Sequence, residues 1–226
     1  SNNNIFLNNF QINKINLEKF NKAFRRRMNH EPISKIFNKK EFWSLNFYVN
    51  QYVLDPRPES EFLIEAVLKY FSDFKSDLKI CDLGTGSGCL AITLAKIFKN
   101  SQITATDVSN KSLEVAKKNA KIHNVFDQIK FVNCDWHSDL EKFDLIISNP
   151  PYLTSNEYEK CNINIKNFEP KLALYGGFDG LMAYKKIAKF AHSILNKNSL
   201  LFLEIGNFQT INIKKLFQKN KIKVIK

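Results

Sequence analysis

The sequence predicts an α/β fold built on a doubly wound, mostly parallel sheet. Two observations carry that prediction. From Lys79 onward, short apolar runs alternate with amphipathic stretches of helical length. The first of those runs passes through a glycine-rich turn, Asp82-Leu83-Gly84-Thr85-Gly86-Ser87-Gly88, directly into an apolar helix pattern at Leu90. The chain of 226 residues is long enough for one well-buried domain of ordinary size with an appendage.

In chain order, the start mixes Asn with Ile, Leu and Phe. It lacks the basic region and apolar core of a secretory signal. Leu17, Phe20, Ala23, Phe24 and Met28 fit a helix whose last turn holds Arg25 to Arg27, cations at the negative end of its dipole. This segment cannot form a core alone and reads as the end of a helical appendage. Over 33–54, Phe42, Trp43, Leu45, Phe47, Val49 and Tyr52 give the partial alternation of a β-hairpin. Pro56 and Pro58 stop it, and Glu59 and Glu61 open a helix running to about Phe71. Strands are then predicted at 79–83, 102–108, 129–134, 143–148, 200–205 and 221–225. Helices are predicted at 90–98, 111–122 (capped by Ser109), 180–195 and 210–219, with a long loop over 152–176.

The formal net charge is +12, from 34 basic and 22 acidic residues. Only Arg25, Arg26, Arg27 and Arg57 among the basic residues are arginine. The rest are lysines spread along the chain, which reads as solvated helix faces rather than a dedicated groove. Weak nonspecific binding to nucleic acid is compatible with this charge, but nucleic acid is not required by it. No apolar run is long enough to span a bilayer. Cys81, Cys89, Cys134 and Cys161 form no C-x-x-C pair and read as buried free thiols, which suits a reducing cytoplasm. His30, His123, His137 and His192 are scattered, and no metal-ligand spacing is present.

Each predicted strand of the first four ends in residues suited to a ligand. Glycine in the turn at Gly84, Gly86 and Gly88 admits left-handed backbone and lets a ligand lie on the chain, while N–H groups at the helix start face it. A plain tight turn is the competing reading of that motif alone. Asp107, ending the second strand, is placed to accept hydrogen bonds from ribose hydroxyls; a helix cap is its bland alternative. Asp135 and Trp136 end the third, an acceptor for an adenine amino group beside a ring that can stack on the base; a core tryptophan is the alternative. Asn149-Pro150-Pro151-Tyr152 ends the fourth and is the most specific signal. The prolines make a rigid extended turn. The Asn149 side-chain carbonyl and the Pro150 backbone carbonyl can accept both hydrogens of a planar NH₂ group, and Tyr152 can stack on it. Open α/β sheets bind ligands at these carboxyl ends, so the composite is a nucleoside site beside an NH₂-recognising site.

With these residues in view, the chain resembles the S-adenosylmethionine-dependent methyltransferases, and more narrowly the release-factor glutamine methyltransferases (the HemK/PrmC family). The likeness runs from about Pro32 to Gln209. It rests on the glycine motif DLGTGSG (82–88), NPPY (149–152), VLDPRPESE (53–61), FEPKLALYGGFDGL (168–181) and LEIGNFQ (203–209). The resemblance implies a Rossmann-like methyltransferase fold preceded by the hairpin and the stub of an N-terminal helical domain. The corresponding division is 1–31 for the end of a helical substrate-binding domain, 32–55 for the hairpin linker and 56–226 for the methyltransferase domain. It implies S-adenosylmethionine as cofactor, held by Gly84, Thr85, Gly86, Ser87, Gly88, Asp107, Asp135, Trp136 and Asn149. It implies that Asn149, Pro150, Pro151 and Tyr152 clamp and activate the glutamine amide of the Gly-Gly-Gln tip of peptide chain release factors.

The chain departs from that family in places. Lys35 stands where Tyr is usual, Asn38 where Gly is usual, Asp55 replaces an apolar residue and Ser60 replaces Thr. The family's seventh, antiparallel strand lies beside the sixth, and the chain reaches only Lys226, so it reads as part of a longer polypeptide. Two rival functions share the motifs: an amino methyltransferase acting on an adenine or cytosine base, and a non-catalytic cofactor-binding module. The stretches around Arg57 and Glu169 argue against the first.

Overall fold

A computed structural model describes residues 14–136 and 141–225. The polar start and His137 therefore lie outside the described residues. In chain order the elements are α1 (Lys14–Met28), α2 (Ile33–Phe37), β1 (Lys39–Phe42), β2 (Leu45–Tyr48), α3 (Glu61–Tyr70), β3 (Lys79–Leu83), α4 (Cys89–Ile97), β4 (Gln102–Asp107), α5 (Asn110–Ile122), β5 (Ile129–Asn133), β6 (Phe143–Ser148), α6 (Ser155–Lys160), α7 (Ile163–Phe168), α8 (Met182–Ile194), β7 (Leu195–Leu203) and α9 (Thr210–Lys219).

The main sheet has strand order β5-β4-β3-β6-β7, all parallel. The chain winds outward from β3 through β4 to β5, then returns to the other side of β3 for β6. The direction of winding thus reverses between β3 and β6, which opens a crevice at their carboxyl ends. Side-chain alternation gives each face its own core. Ile80, Leu145 and Ile147 pack with Leu63, Ile64 and Val67 of α3 and Leu90 to Ala95 of α4. Cys81, Leu83 and Ile146 pack on the opposite face with Tyr184, Ile187 and Ala188 of α8 and Ile213 and Phe217 of α9. No helix among the described residues is long and apolar enough to cross a membrane.

The antiparallel pair β1–β2 is the predicted hairpin, but narrower than 33–54. The one-turn helix α2 takes its first residues and ends at Asn38, whose φ of 51° is left-handed. Asparagine tolerates that backbone where most residues do not. The hairpin docks through Phe42 and Phe47, both buried, and through Asn119 of α5. The Asn119 carboxamide accepts from the Tyr48 amide (2.7 Å) and donates to the carbonyls of Tyr48 (2.9 Å) and Ser87 (2.8 Å). One buried side chain therefore ties the hairpin to the glycine turn.

Three sequence expectations are corrected. Residues 152–176 are not a plain loop. Thr154 and Glu157 form a reciprocal capping box that starts α6, and α7 follows. The fifth strand begins earlier than expected, at Leu195 directly after α8, with a register shift opposite Phe143 and Leu145. The sixth strand does not form at 221–225. A strand exists only with a ladder partner, and none is offered among the described residues; Ile222 and Val224 instead pack on the core beside α9. None of the four cysteines forms a disulfide, and of the four only Cys81 is fully buried.

The segment between hairpin and sheet is anchored by a buried charge cluster. The Lys35 ammonium lies 2.8 Å from Asp55 Oδ1 and 3.1 Å from Glu169 Oε2, and donates to the carbonyls of Val53 (2.6 Å) and Asn50 (2.8 Å). Arg57 closes the group, 3.1 Å from Glu169 Oε1. Burial raises the Glu169 carboxyl, and the Lys35 charge pulls it back. Removing one member leaves an uncompensated buried charge, at a cost of about 3–5 kcal/mol. Lys35→Met is expected to lower unfolding stability by that amount in denaturant titration, and Asp55→Leu added to it should recover part of the loss. A double variant no more stable than Lys35→Met would show that the two positions are not coupled.

Candidate active site

A cavity of about 420 Å³ opens at the carboxyl ends of β3, β4 and β6, at the point where the winding reverses. Its walls come from the glycine turn, the ends of β4 and β5, Asn149 and Pro151, the segment 51–57, and Pro170, Leu172 and Ala173.

The glycine turn is held from beneath by Asp82, which is buried in β3. Asp82 Oδ2 accepts from the Thr85 hydroxyl (2.6 Å) and from the Ala91 amide in the first turn of α4 (3.2 Å). Its Oδ1 is buried without a hydrogen-bond partner. Burial pushes the Asp82 carboxyl up to about 7, with Thr85 and Ala91 opposing. Gly84, Gly86 and Gly88 all have positive φ, as the motif requires. At Gly88 the space is needed as well, since a Cβ would meet Ile92 at 3.0 Å and Ala116 at 3.2 Å.

Three of the turn's amides are engaged within the protein. The Thr85 amide donates to Thr106 O, Gly88 to Thr85 O and Gly86 to Asp107 Oδ2 (3.0 Å). These donors go to a strand end, to the turn itself and to a carboxylate. The cavity wall carries both charges: Asp55, Asp107 and Asp135 line it, and so do Arg57 and Lys186. Its carboxylates can accept from hydroxyl or amino groups of a ligand.

The predicted residues gather here to different degrees. Asp107 lines the cavity with one oxygen toward Gly86 and the other accepting from the Ser109 amide (2.8 Å); burial raises its carboxyl. The Trp136 ring lies over Gly84, 3.5 Å from where a Cβ would stand, packs against the core and also lines the cavity. Asp135 lines the cavity too, but it is exposed and paired with Lys186 of α8 at 2.7 and 2.9 Å. Thr85, Ser87, Asn149 and Pro151 line the cavity, while Pro150 and Tyr152 stand outside its lining.

Asn149 is oriented by residues that sequence reasoning missed. Its Nδ2 donates to Ser60 Oγ (2.8 Å), and the Ser60 hydroxyl donates to Glu204 Oε2 (2.6 Å). Tyr152 donates more weakly to Glu204 Oε1 (3.4 Å). Burial raises the Glu204 carboxyl, and the Ser60 donor opposes that rise. Ser60 and Glu204 lie 144 residues apart in sequence, which left no local signal of the contact. Gln209 secures the strand end from the other side. It donates to Tyr152 O (2.9 Å) and accepts from the Gly206 amide (3.1 Å). Gly180, with φ of 70°, leaves the room, since a Cβ there would come within 2.4 Å of Gln209 and Tyr152.

Residues 56–166 match the family model of the methyltransferase small domain. A methyltransferase from Pyrococcus furiosus superposes with a TM-score of 0.57 at 22% identity, over 88% of this chain and 87% of that one. Fold and strand ends together define a methyltransferase built on a Rossmann-like sheet. A release factor glutamine methyltransferase of Clostridium acetobutylicum is 34% identical over 92% of this chain and 74% of its own length. The chain belongs to the release factor glutamine methyltransferase family. A bifunctional methyltransferase of Rickettsia bellii is 40% identical over 92% of this chain, which spans only 42% of that relative's length.

Asp82 gives the fold a pH signature. The folded carboxyl titrates near 7 against an ordinary value of 3.8, so between those values the folded protein holds a proton that the unfolded chain has lost. Stability attributable to this group therefore falls as pH rises from about 4 to about 7, by up to about 1.4 kcal/mol per unit. Asp82→Asn is expected to flatten that slope in denaturant titrations across the window. An unchanged slope would place the titration elsewhere.

Proposed function

We propose that the chain transfers a methyl group from S-adenosylmethionine to the side-chain amide nitrogen of the glutamine in the Gly-Gly-Gln motif of peptide chain release factors. The observation that carries this reading is the orientation of Asn149. With its NH₂ end donated to Ser60, the side-chain oxygen is the end left for a ligand's N–H, on a wall shared with an acceptor-lined cavity. Family membership supplies the substrate class.

The residues fit S-adenosylmethionine. In this reading Asp107 takes the ribose hydroxyls, Trp136 and Asp135 the base, and the glycine surface at 84–88 allows close approach. The buried, half-satisfied carboxyl of Asp82 lies beneath the turn, and a cationic ligand above would favour its ionised form. When bound, the cofactor supplies a methyl group on a positively charged sulfur. Displacement there needs an aligned nucleophile, and an amide nitrogen is a poor one because its lone pair is delocalised. Asn149 Oδ1 and the Pro150 carbonyl hold the two amide hydrogens and turn the nitrogen's lone pair toward the methyl. They stabilise the positive charge that nitrogen gains in the transition state more than they stabilise the ground state. Tyr152 braces the strand end against Glu204, and the nitrogen's proton leaves to solvent. In this reading 1–31 ends a helical substrate-binding unit, 32–55 is the linker, and 56–226 belongs to the methyltransferase domain.

Labelled methyl from S-adenosylmethionine should appear on a purified release factor and not on its Gln→Ala tip variant, bulk tRNA or DNA. Label on nucleic acid would replace this reading with base methylation, and bound cofactor with no label anywhere would favour a binding module. Asn149→Ala should lower turnover by about a hundredfold, as loss of one oriented transition-state contact does, with cofactor affinity nearly unchanged. Equal loss in both would make Asn149 a cofactor ligand.

A further inference from the structure

We infer that Ser60 and Glu204 are positioning residues that fix which end of the Asn149 carboxamide faces the cavity, and so select an NH₂-bearing group over a hydrogen-bond acceptor. The inference rests on the proposed role of Asn149 at the reacting nitrogen. A carboxamide is nearly symmetric in shape, and its two ends exchange by a half-turn. At Asn149 the choice decides the chemistry. Oxygen toward the cavity accepts from an amide NH₂, whereas nitrogen toward the cavity would donate and repel one.

The direction is set by a one-way chain. An ionised carboxylate only accepts, so Glu204 Oε2 takes the Ser60 hydroxyl proton at 2.6 Å. The Ser60 oxygen then turns a lone pair to Asn149, 2.8 Å away, and that position accepts only the NH₂ end. Ser60 is buried, and Glu204 is also held by Tyr152 at 3.4 Å, so neither member can readily turn away. Three segments remote in sequence converge on this chain: the residue just before α3, the residue after β6 and the residue after β7. Glu204 does not line the cavity, so it acts on Asn149, through Ser60 and by its own hydrogen bond to the Asn149 side chain, and not through the ligand.

The Asn149 side-chain NH₂ resonance in ¹H–¹⁵N spectra, identified by its loss in Asn149→Ala, reads the orientation without any turnover. It should be protected from solvent exchange in the native chain and in Ser60→Thr, which keeps a hydroxyl. It should exchange freely in Ser60→Ala. In Glu204→Gln it should split, since a glutamine can also donate to Ser60 and permit the reverse polarity. Turnover should fall at least tenfold in Ser60→Ala with KM for S-adenosylmethionine within twofold, return in Ser60→Thr, and fall no further when Ser60→Ala is added to Asn149→Ala. An Asn149 resonance unmoved by Ser60→Ala would overturn the inference, as would equal losses from Ser60→Ala with and without Asn149. If the resonances behave as expected but no release factor is methylated, the positioning chain stands and the proposed substrate fails.

Discussion

The carboxylate of Asp82 is the constraint on which the site depends. It sits at the end of the central strand and binds, through one oxygen, both the Thr85 hydroxyl in the glycine turn and the Ala91 amide in the first turn of α4. Strand, turn and helix are thereby locked at one atom. The cost is a carboxyl buried deeply enough to hold its proton toward neutral pH. A fold that keeps such a group at its centre spends stability on shape, and the shape it gains is the bare glycine floor of the cavity. Asp107 performs the matching task one strand away, where its oxygens fix Gly86 and Ser109.

From this floor the cavity divides by chemistry. On the β4 and β5 side the wall presents carboxylates, with Lys186 paired to Asp135. Such a wall offers acceptors to hydroxyl and amino groups. On the β6 side, proline removes backbone N–H groups just where the strand ends, so carbonyls there are not consumed by neighbours. The polarity of the Glu204–Ser60–Asn149 chain then makes the side-chain contribution an acceptor as well. Both sides thus offer hydrogen-bond acceptors, and Arg57 and Lys186 add cations to the same lining.

The legible part of this protein was local. A glycine turn, an acid at a strand end and Asn-Pro-Pro-Tyr each announce themselves within a few residues, because strand ends in a parallel sheet must converge once the sheet exists. Local signals brought Asp107, Trp136 and Asn149 to the lining of one cavity, and gave the five strands with them. What stayed hidden was remote pairing. Nothing near Ser60 announces Glu204, and nothing near Asp135 announces Lys186. The same limit explains the errors in the elements. The 221–225 run has strand composition, but composition cannot supply a ladder partner. The capping box at Thr154 and Glu157 was readable, yet the NPPY signal beside it suggested only a loop.

Two departures from the family pattern gain meaning only in three dimensions. Lys35 and Asp55 each look like a charge placed where Tyr or an apolar residue is usual, and each alone would bury an unpaired ion. They meet at 2.8 Å, and Lys35 also reaches Glu169, so the two departures act as one. Their position matters for the site. Asp55 and Arg57 line one wall of the cavity, and Glu169 precedes Pro170, Leu172 and Ala173 on the facing wall. The cluster thus holds two walls at a set separation by electrostatics in a dry interior, where an ionic contact resists displacement more strictly than apolar packing that can slide. An exchange of an aromatic–apolar contact for an ion pair leaves the chemistry of Asn149 untouched while changing how rigidly the cavity around it is held. The Lys35 and Asp55 departures thus act on the frame around the cavity, while the Ser60 departure sits beside Asn149 itself.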